Sequence, residues 1–357
     1  MEKDINLIKK IISIPSVTTN QKAVLRCQKL IRNYLGKTFI CQEVKSGNFT
    51  SYILSKEKTK KFDVLFYGHL DVVPADKKAF TPKIKNNRLY GRGSLDMKSS
   101  TVIQAVVMKE NKFENLKVGL VLVPDEEVGG MNGLYRVLKS GFRANVVIIP
   151  DGGKGKSIIT MQKGICFYRL TFSTAGGHGS RPWLSENAAL KSVDFFNRMI
   201  SDLKINNRSR NRGTTINLGA IKSGEKNNVI PNESELLIDA RFSSLQDKKR
   251  FESYLIKYKK EIKIEKVIEG DIFNCDNGDK LLNVFQKIVK VPFNYESGGS
   301  DARFLTEYDI PAIIYQPKGD NHHAENEWVS LSSLEKFKKD LVEYLRHLDK
   351  NYNKYFK

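Results

Sequence analysis

The stretch VLFYGHLD at residues 64–71 runs four apolar residues directly into a glycine, a histidine and an aspartate. Two further apolar runs, at 118–123 and 146–149, are likewise followed within two residues by an aspartate. Short runs rich in Val, Ile and Leu are typical of strands that are buried on both faces. Helical patterns lie between these runs, around 101–109 and 133–138. The alternation predicts an α/β domain with a largely parallel sheet.

The middle of the chain has a different order of elements. Between residues 164 and 270 the pattern reads strand, helix, strand, strand, helix, strand. That order suits a small α+β sandwich inserted into a larger domain. After it the chain returns to α/β, with a short strand at 310–314. We therefore predict one domain built from residues 1–163 plus 271–357, and a second, inserted domain at 164–270.

Amphipathic helices open and close the chain. The first 36 residues predict two helices, the first of which ends at Pro15 because proline cannot continue a helix. The last helix is predicted to start with a capping box formed by Ser332 and Glu335. Its apolar face consists of Leu334, Phe337, Leu341, Leu345 and Leu348.

Composition restricts the classes of partner. The 357 residues carry 60 Lys plus Arg against 40 Asp plus Glu, which is a formal charge of +20 at pH 7. This charge raises a nucleic-acid-binding hypothesis. The lysines are dispersed, however, and no basic run reaches the length of an interaction tail, so we expect no specific nucleic-acid partner.

The sequence also bears on location. No stretch approaches the roughly 18 uncharged apolar residues of a membrane span, and the N-terminal residues do not read as a secretory signal. The four cysteines lie far apart without a CxxC pair. We expect a cytoplasmic protein without a membrane partner.

Five polar clusters are candidates for chemistry. They are GHLD at 68–71, GRGSLDMK at 91–98, PDEEVGG at 124–130, PDGG at 150–153 and NHHAENE at 321–327. Each alone reads as a solvated loop, but together they place acidic groups and a histidine pair at predicted strand ends, where open α/β sheets bind ligands. Carboxylate and imidazole ligands suit a zinc-type divalent ion, and a carboxylate shared by two ions would make a two-metal hydrolytic centre.

The chain resembles the M20 family of metallopeptidases and deacylases. The motifs that carry the resemblance occur in family order over most of the chain: GHLDVVP (68–74), LYGRGSLDMK (89–98), PDEEVGG (124–130), PDGG (150–153), QKG (162–164), GGHGSRPW with ENA (176–188), NNVIP with DAR (227–241), GGSDARF (298–304) and HHAENE (322–327). The resemblance implies a mostly parallel-sheet catalytic domain that holds two metal ions. The inserted α+β sandwich is then similar to the family's lid, which would also form a homodimer contact.

The resemblance implies two divalent metal ions, with zinc as the first choice and cobalt or manganese as alternatives. The implied ligands are His69, Asp96, Glu127, Asp151 and His323. Asp96 would bridge the ions, with His69 and Asp151 on the first and Glu127 and His323 on the second. His322 is the alternative to His323, which is preferred because the family motif places the ligand four residues before the final glutamate of HHAENE.

Other roles follow from the same resemblance. Glu126 would be the general base, Asp71 would orient His69, and His178 would help to polarise the scissile carbonyl. The residues that would contact substrate are Asn228, Arg241, Ser300 and Arg303. An arginine fork suits a substrate carboxylate, although Arg241 and Arg303 could equally be structural ion-pair residues.

The implied activity is hydrolysis of the amide bond of a small N-acyl amino acid, of deacetylase or desuccinylase type, by a metal-bridged water. Desuccinylases of the family usually read GTSDGRF where this chain reads GGSDARF, so the acyl group stays open. The alternative within the family is a dipeptidase or aminopeptidase acting on a short peptide. Outside it, the alternatives are a non-catalytic metal-binding protein and a nucleic-acid-binding protein.

Overall fold

The computed structural model describes residues 2–208 and 212–357, and these form two compact units. The first unit consists of the chain up to Met161, together with Asn274–Glu296 and Ser300–Lys357. The second consists of Gln162–Phe273 and Ser297–Gly299. The insertion predicted at 164–270 therefore lies inside the second unit, which also includes eight residues that the prediction assigned to the larger domain, at 162–163, 271–273 and 297–299.

The helices and strands are numbered in chain order. The helices are α1 (Glu2–Ile12), α2 (Gln21–Leu35), α3 (Lys98–Glu110), α4 (Leu134–Lys139), α5 (Ala188–Asp202), α6 (Leu245–Lys257), α7 (Lys280–Val289), α8 (Arg303–Thr306), α9 (Leu331–Lys350) and α10 (Tyr352–Phe356). The strands are β1 (Ile40–Ser46), β2 (Phe49–Ser55), β3 (Lys61–His69), β4 (Lys83–Lys85), β5 (Arg88–Tyr90), β6 (Val118–Val123), β7 (Arg143–Ile149), β8 (Ile158–Gln162), β9 (Gly164–Ser173), β10 (Gly177–His178), β11 (Thr215–Ser223), β12 (Val229–Ile230), β13 (Glu233–Phe242), β14 (Ile262–Gly270), β15 (Phe273–Asn274), β16 (Phe293–Glu296), β17 (Ala312–Ile314), β18 (Gly319–Asp320) and β19 (Trp328–Ser330).

The large sheet has a parallel centre. Its strand order is β1-β2-β6-β3-β7-β17-β8-β15, with β16 paired to β8. The pairs β6–β3, β3–β7 and β7–β17 are parallel, whereas β1–β2, β2–β6 and β17–β8 are antiparallel. All of β3 after its first residue is buried, as expected for a strand covered on both faces. The predicted α/β class with a parallel central sheet is confirmed.

Helices cover this sheet as the apolar patterns predict. Lys98 through Met108 of α3 are all buried, so this helix lies inside the unit rather than on its surface. The side chain of Asn20 caps α2 by accepting a hydrogen bond from the backbone nitrogen of Ala23, at 3.2 Å. No helix among residues 2–208 and 212–357 is long and apolar enough to cross a membrane.

The last helix starts two residues earlier than predicted. Ser330, not Ser332, is the N-cap of α9, and its hydroxyl accepts a hydrogen bond from the nitrogen of Ser333 at 3.3 Å. The capping box with Glu335 was therefore wrong, because β19 runs directly into the helix and leaves Ser330 at the junction. The predicted apolar face is confirmed, since all five of its residues are buried.

The second unit is a four-stranded antiparallel sheet in the order β11-β13-β9-β14, with β10 and β12 forming a separate pair. Residues of β9 and β13 alternate between buried and part-buried positions, which gives each strand one core face. That face packs against α5 and α6 through aromatic contacts, including Phe172 against Phe195. The predicted α+β order is thus observed.

Candidate metal centre

Three of the polar clusters follow neighbouring parallel strands. His69 is the last residue of β3, Glu126 and Glu127 lie just beyond β6, and Asp151 lies just beyond β7. Because β3 pairs with β6 on one side and β7 on the other, the carboxyl ends of these strands meet at one edge of the sheet. The strand order, which differs from the chain order, therefore brings the clusters together.

Asp96 lies between two histidines. Its Oδ1 is 2.9 Å from Nε2 of His69, and its Oδ2 is 3.2 Å from Nε2 of His323. The same nitrogen of His323 is 3.2 Å from Oε2 of Glu127. Each oxygen of one carboxylate thus faces a different imidazole.

The donor set fits divalent metal ions. Candidate ligand atoms of His69, Asp96 and Glu127 lie within 4.8 Å of one another, and so do those of His69, Glu126 and Asp151. Nitrogen and oxygen donors in groups of this size suit zinc and neighbouring transition metals. The cluster can hold a metal ion, and His69 belongs to both groups.

The two adjacent histidines have different surroundings. His323 adopts a left-handed backbone conformation with φ 59°, and its ring lies against Asp96 and Glu127. These two carboxylates raise the pKa of His323 to about 10. Nε2 of His322 instead lies 3.5 Å from the side-chain nitrogen of Gln316, and burial lowers the pKa of His322. The carboxylates therefore meet His323 rather than His322.

Asp71 holds the site through its carboxylate. Nδ1 of His69 lies 3.1 Å from the backbone oxygen of Asp71 and 3.5 Å from its Oδ1. The carboxylate also accepts hydrogen bonds from the hydroxyl of Thr18 at 2.8 Å and from the backbone nitrogens of Glu126 and Glu127 at 3.3 and 3.2 Å. The backbone carbonyl of Asp71 thus makes the shorter contact with the ring of His69. The carboxylate of Asp71 anchors the turn that carries Glu126 and Glu127, called the acidic turn below.

Burial and neighbouring charges shift the pKa values of three carboxylates in the cluster, those of Glu126, Asp151 and Asp96. Burial and the nearby carboxylate of Asp151 raise the pKa of Glu126 well above its ordinary value. Burial and Asp96 act in the same direction on the pKa of Asp151. Although burial opposes the charged form, hydrogen bonds from His323 and His69 hold the pKa of Asp96 well below its usual range. Asp96 is therefore the carboxylate that stays ionised against the imidazoles.

Burial also lowers the pKa of His69, but its contacts with Asp71 and Asp96 outweigh this and raise it well above the ordinary value. Both ring nitrogens face oxygen atoms, so both carry protons in the metal-free protein. A cation placed beside Nε2 would replace that proton, and Nδ1 would keep its hydrogen bond to Asp71.

Two predicted substrate residues lie in the same unit as this cluster. Nη2 of Arg303 donates a hydrogen bond of 2.7 Å to the backbone oxygen of Gly129, in the turn that follows Glu127. Ser300 is fully buried, and its hydroxyl accepts from the nitrogen of Ala302 at 3.3 Å. Arg303 therefore has a structural partner in the acidic turn.

The other three predicted residues belong to the second unit. Nδ1 of His178 accepts a hydrogen bond from the nitrogen of Ser180 at 3.2 Å, so a neutral ring carries its proton on Nε2. The backbone oxygen of Asn228 accepts from Gly179 at 2.7 Å. Arg241 pairs with Asp239, with Nε to Oδ1 at 2.7 Å. The ion-pair alternative for Arg241 is thus observed.

Two charged residues at the cluster were not singled out from the sequence. Arg92 and Glu327 form an ion pair at 2.8 Å, and both side chains are at most 3% exposed. Arg92 lies in the glycine-rich GRGSLD motif and Glu327 is the last residue of the HHAENE motif. No spacing rule, however, pairs residues that lie 235 positions apart.

Comparison with known proteins sets this cluster in context. Residues 65–347 match the sequence pattern of peptidase family M20/M25/M40. The chain belongs to this family. The matched range includes all the clustered residues described above, so this M20-family chain is a hydrolase whose His and Asp/Glu cluster can bind metal.

Relatives of this M20-family chain are aligned over nearly its whole length. Succinyl-diaminopimelate desuccinylase of Coxiella burnetii is 26% identical over 366 aligned positions, which cover 94% of this chain and 96% of that protein. A tripeptidase of Staphylococcus aureus has a TM-score of 0.80 at 16% identity, covering 98% of both chains. A metallo-carboxypeptidase of Sulfolobus solfataricus has a TM-score of 0.79 at 16% identity, covering 98% of this chain and 100% of that one.

Proposed function

We propose that this M20-family chain hydrolyses the amide bond of a small N-acyl amino acid, as a deacetylase or desuccinylase. The observation that carries the proposal is Asp96, which faces His69 with one oxygen and His323 with the other while Glu126 lies in the same cluster. The substrate class is supported by the alignment with a desuccinylase over 94% of the chain.

In this proposal His69, Asp151 and Asp96 would hold one divalent ion and Glu127, His323 and Asp96 would hold a second, with zinc as the first choice. When bound, such ions lower the pKa of a water ligand and polarise a carbonyl. Glu126 accepts a proton from the attacking water and later delivers it to the leaving amine. In the metal-free protein, burial and the carboxylate of Asp151 raise the pKa of Glu126 well above its ordinary value.

The proposal gives the second unit a part in substrate binding. His178 would donate a hydrogen bond from Nε2 to the oxyanion, since its Nδ1 is occupied as an acceptor. Arg241, Asn228, Ser300 and Arg303 would contact the rest of the substrate. Arg241 and Arg303 already have protein partners, so either would have to share its fork with a carboxylate.

The test is amine release by zinc-loaded protein from N-acetyl, N-succinyl and N-formyl amino acids and from free dipeptides. We expect amine release from one acyl class, and its loss on chelation, because the proposed ions would activate the attacking water and polarise the carbonyl. Release from dipeptides alone would make the chain a peptidase. If metal-loaded protein released no amine from any substrate of the panel, that result would contradict the proposed reaction.

We further propose a homodimer formed through the second unit. Its exposed surface includes Trp183, Leu184 and Leu190, which are 76%, 68% and 64% exposed. Large apolar side chains at the surface mark interaction sites when they are grouped. Light scattering should give twice the chain mass of 40.7 kDa, and Leu190→Lys should lower it whereas Ile84→Lys, in the first unit, should not. A mass of one chain at all concentrations would contradict the dimer.

A further inference from the structure

Glu327 is a buried carboxylate at the metal centre that is not one of the proposed ligands. Its Oε1 accepts hydrogen bonds from the backbone nitrogens of Leu95 and Asp96 at 2.8 and 3.1 Å. Its Oε2 accepts from the nitrogen of Gly93 at 3.0 Å and from Nη1 of Arg92 at 2.8 Å. Each oxygen therefore has two donors, and the side chain is only 1% exposed.

These contacts leave Glu327 poorly suited to bind a metal itself. A carboxylate has about four lone-pair sites, and all four are used by donors of this chain. The donors come from the short segment that carries Asp96. The ionised form of Glu327 is thus held in place by three backbone N–H groups and one guanidinium. Such hydrogen bonds are the usual way that a buried charge is tolerated.

Arg92 extends the contact to the second histidine. Its Nη1 reaches Glu327 while its Nη2 donates to the backbone oxygen of His323, also at 2.8 Å. The planar guanidinium can make both hydrogen bonds at once because its donors form a fixed fork. The ion pair of Arg92 and Glu327 therefore hydrogen-bonds to the backbone of two segments, the one that carries Asp96 and the one that carries His323.

A small sheet explains why these distant residues meet. Strand β5 ends just before the glycine-rich segment, and β19 begins directly after Glu327. The two strands pair in antiparallel fashion, with Trp328 opposite Tyr90. The backbone nitrogen of Gly91 also donates to the backbone oxygen of Glu327 at 3.1 Å. The segment with Asp96 follows β5 and the loop with His323 precedes β19. Both are therefore attached to the same pair of strands.

We propose that Arg92 and Glu327 are positioning residues that set Asp96 and His323 at the separation a pair of divalent ions requires. The proposal rests on the proposed function, because it assigns Asp96 and His323 to metal binding. Neither residue touches the reacting atoms. Loss of such outer hydrogen-bond partners typically costs about 10–100-fold in metal affinity or activity.

The test uses cobalt(II) as the probe and two variants, Glu327→Gln and Arg92→Lys. Glutamine keeps the size but turns an amide donor toward groups that already donate. Lysine keeps the charge but cannot contact Glu327 and His323 with a fork. We expect cobalt(II) to bind about 10–100-fold more weakly to Glu327→Gln, with a changed visible spectrum. Arg92→Lys should show a smaller change in the same direction.

A matched control separates positioning from general stability. Asp349 also accepts hydrogen bonds from three consecutive backbone nitrogens, those of Glu114, Asn115 and Leu116, at 2.8 to 3.1 Å. We expect Asp349→Asn to lower the melting temperature of the metal-free protein but to leave cobalt(II) affinity and spectrum unchanged. In the Glu327 and Arg92 variants kcat should fall while KM changes little.

Unchanged cobalt(II) affinity and spectrum in folded Glu327→Gln would overturn the inference. If that variant does not fold, Arg92→Lys decides, because it retains a positive charge to balance the buried carboxylate of Glu327. Wild-type protein that binds no cobalt(II) would also overturn it. The proposed function fails separately, when wild-type protein binds cobalt(II) but hydrolyses none of the amides in the substrate panel.

Discussion

Glu126→Gln is expected to lower kcat by about 10²–10⁴-fold, which is the usual contribution of a general acid–base group. Glutamine has the same shape as glutamate but cannot take a proton from the attacking water. Glu126 shares a cluster with His69 and Asp151, and its backbone nitrogen donates to Asp71 at 3.3 Å. The substitution leaves that backbone contact in place, so the acidic turn should keep its conformation.

Metal content separates this role from that of a ligand. We expect Glu126→Gln to bind as much zinc as the wild-type protein, measured on dialysed samples, because Glu126 is not among the proposed ligands. Glu325→Gln is the matched control, since Glu325 is an exposed carboxylate paired with Lys78. A Glu126→Gln variant with near wild-type turnover, or one that has lost its metal, would contradict the assignment.

His323→Ala is expected to lose one of two bound metal ions, whereas His322→Ala keeps both. His323 lies 3.2 Å from both Asp96 and Glu127, and His322 contacts neither within hydrogen-bond distance among the contacts of the described residues. Activity of His323→Ala should fall by more than the roughly 10–100-fold that loss of an outer hydrogen-bond partner costs. The same metal analysis and substrate assay apply to both variants.

Proton release gives the pair a second readout. Because the pKa of His323 is raised to about 10, this ring is protonated at pH 7 in the metal-free protein, and a metal must displace that proton. Metal uptake by His323→Ala should therefore release one proton fewer, measured by calorimetry in buffers of different ionisation enthalpy. His322→Ala should release as many protons as wild type, because burial lowers the pKa of His322.

The same shift gives the metal-free protein a pH-dependent stability. A raised folded-state pKa stabilises the protein fully below the ordinary histidine pKa of about 6.5, and this contribution disappears as the pH rises through about 10. The difference in unfolding free energy between wild type and His323→Ala should shrink over that range.

Metal loss from His322→Ala but not from His323→Ala would exchange the two assignments.

Much of the local structure followed from the sequence. The apolar run predicted at 118–123 is β6 residue for residue, and the helix predicted around 101–109 is the core of α3. Strands buried on both faces and helices with one apolar face leave clear periodic signals. The start of α9 did not, because Ser330 and Ser332 are both plausible caps and only the end of β19 decides between them.

The sequence by itself determined the family resemblance, the α/β class and the side chains that can hold metal. Only the tertiary structure decided which of them meet. Strand order put β3 between β6 and β7, and the pairing of β5 with β19 brought Arg92 to Glu327 across 235 positions. Periodicity reports the faces of single elements, whereas strand order is set by long-range packing that no local pattern records. For that reason the buried ion pair beneath Asp96 and His323 was seen only in the folded chain.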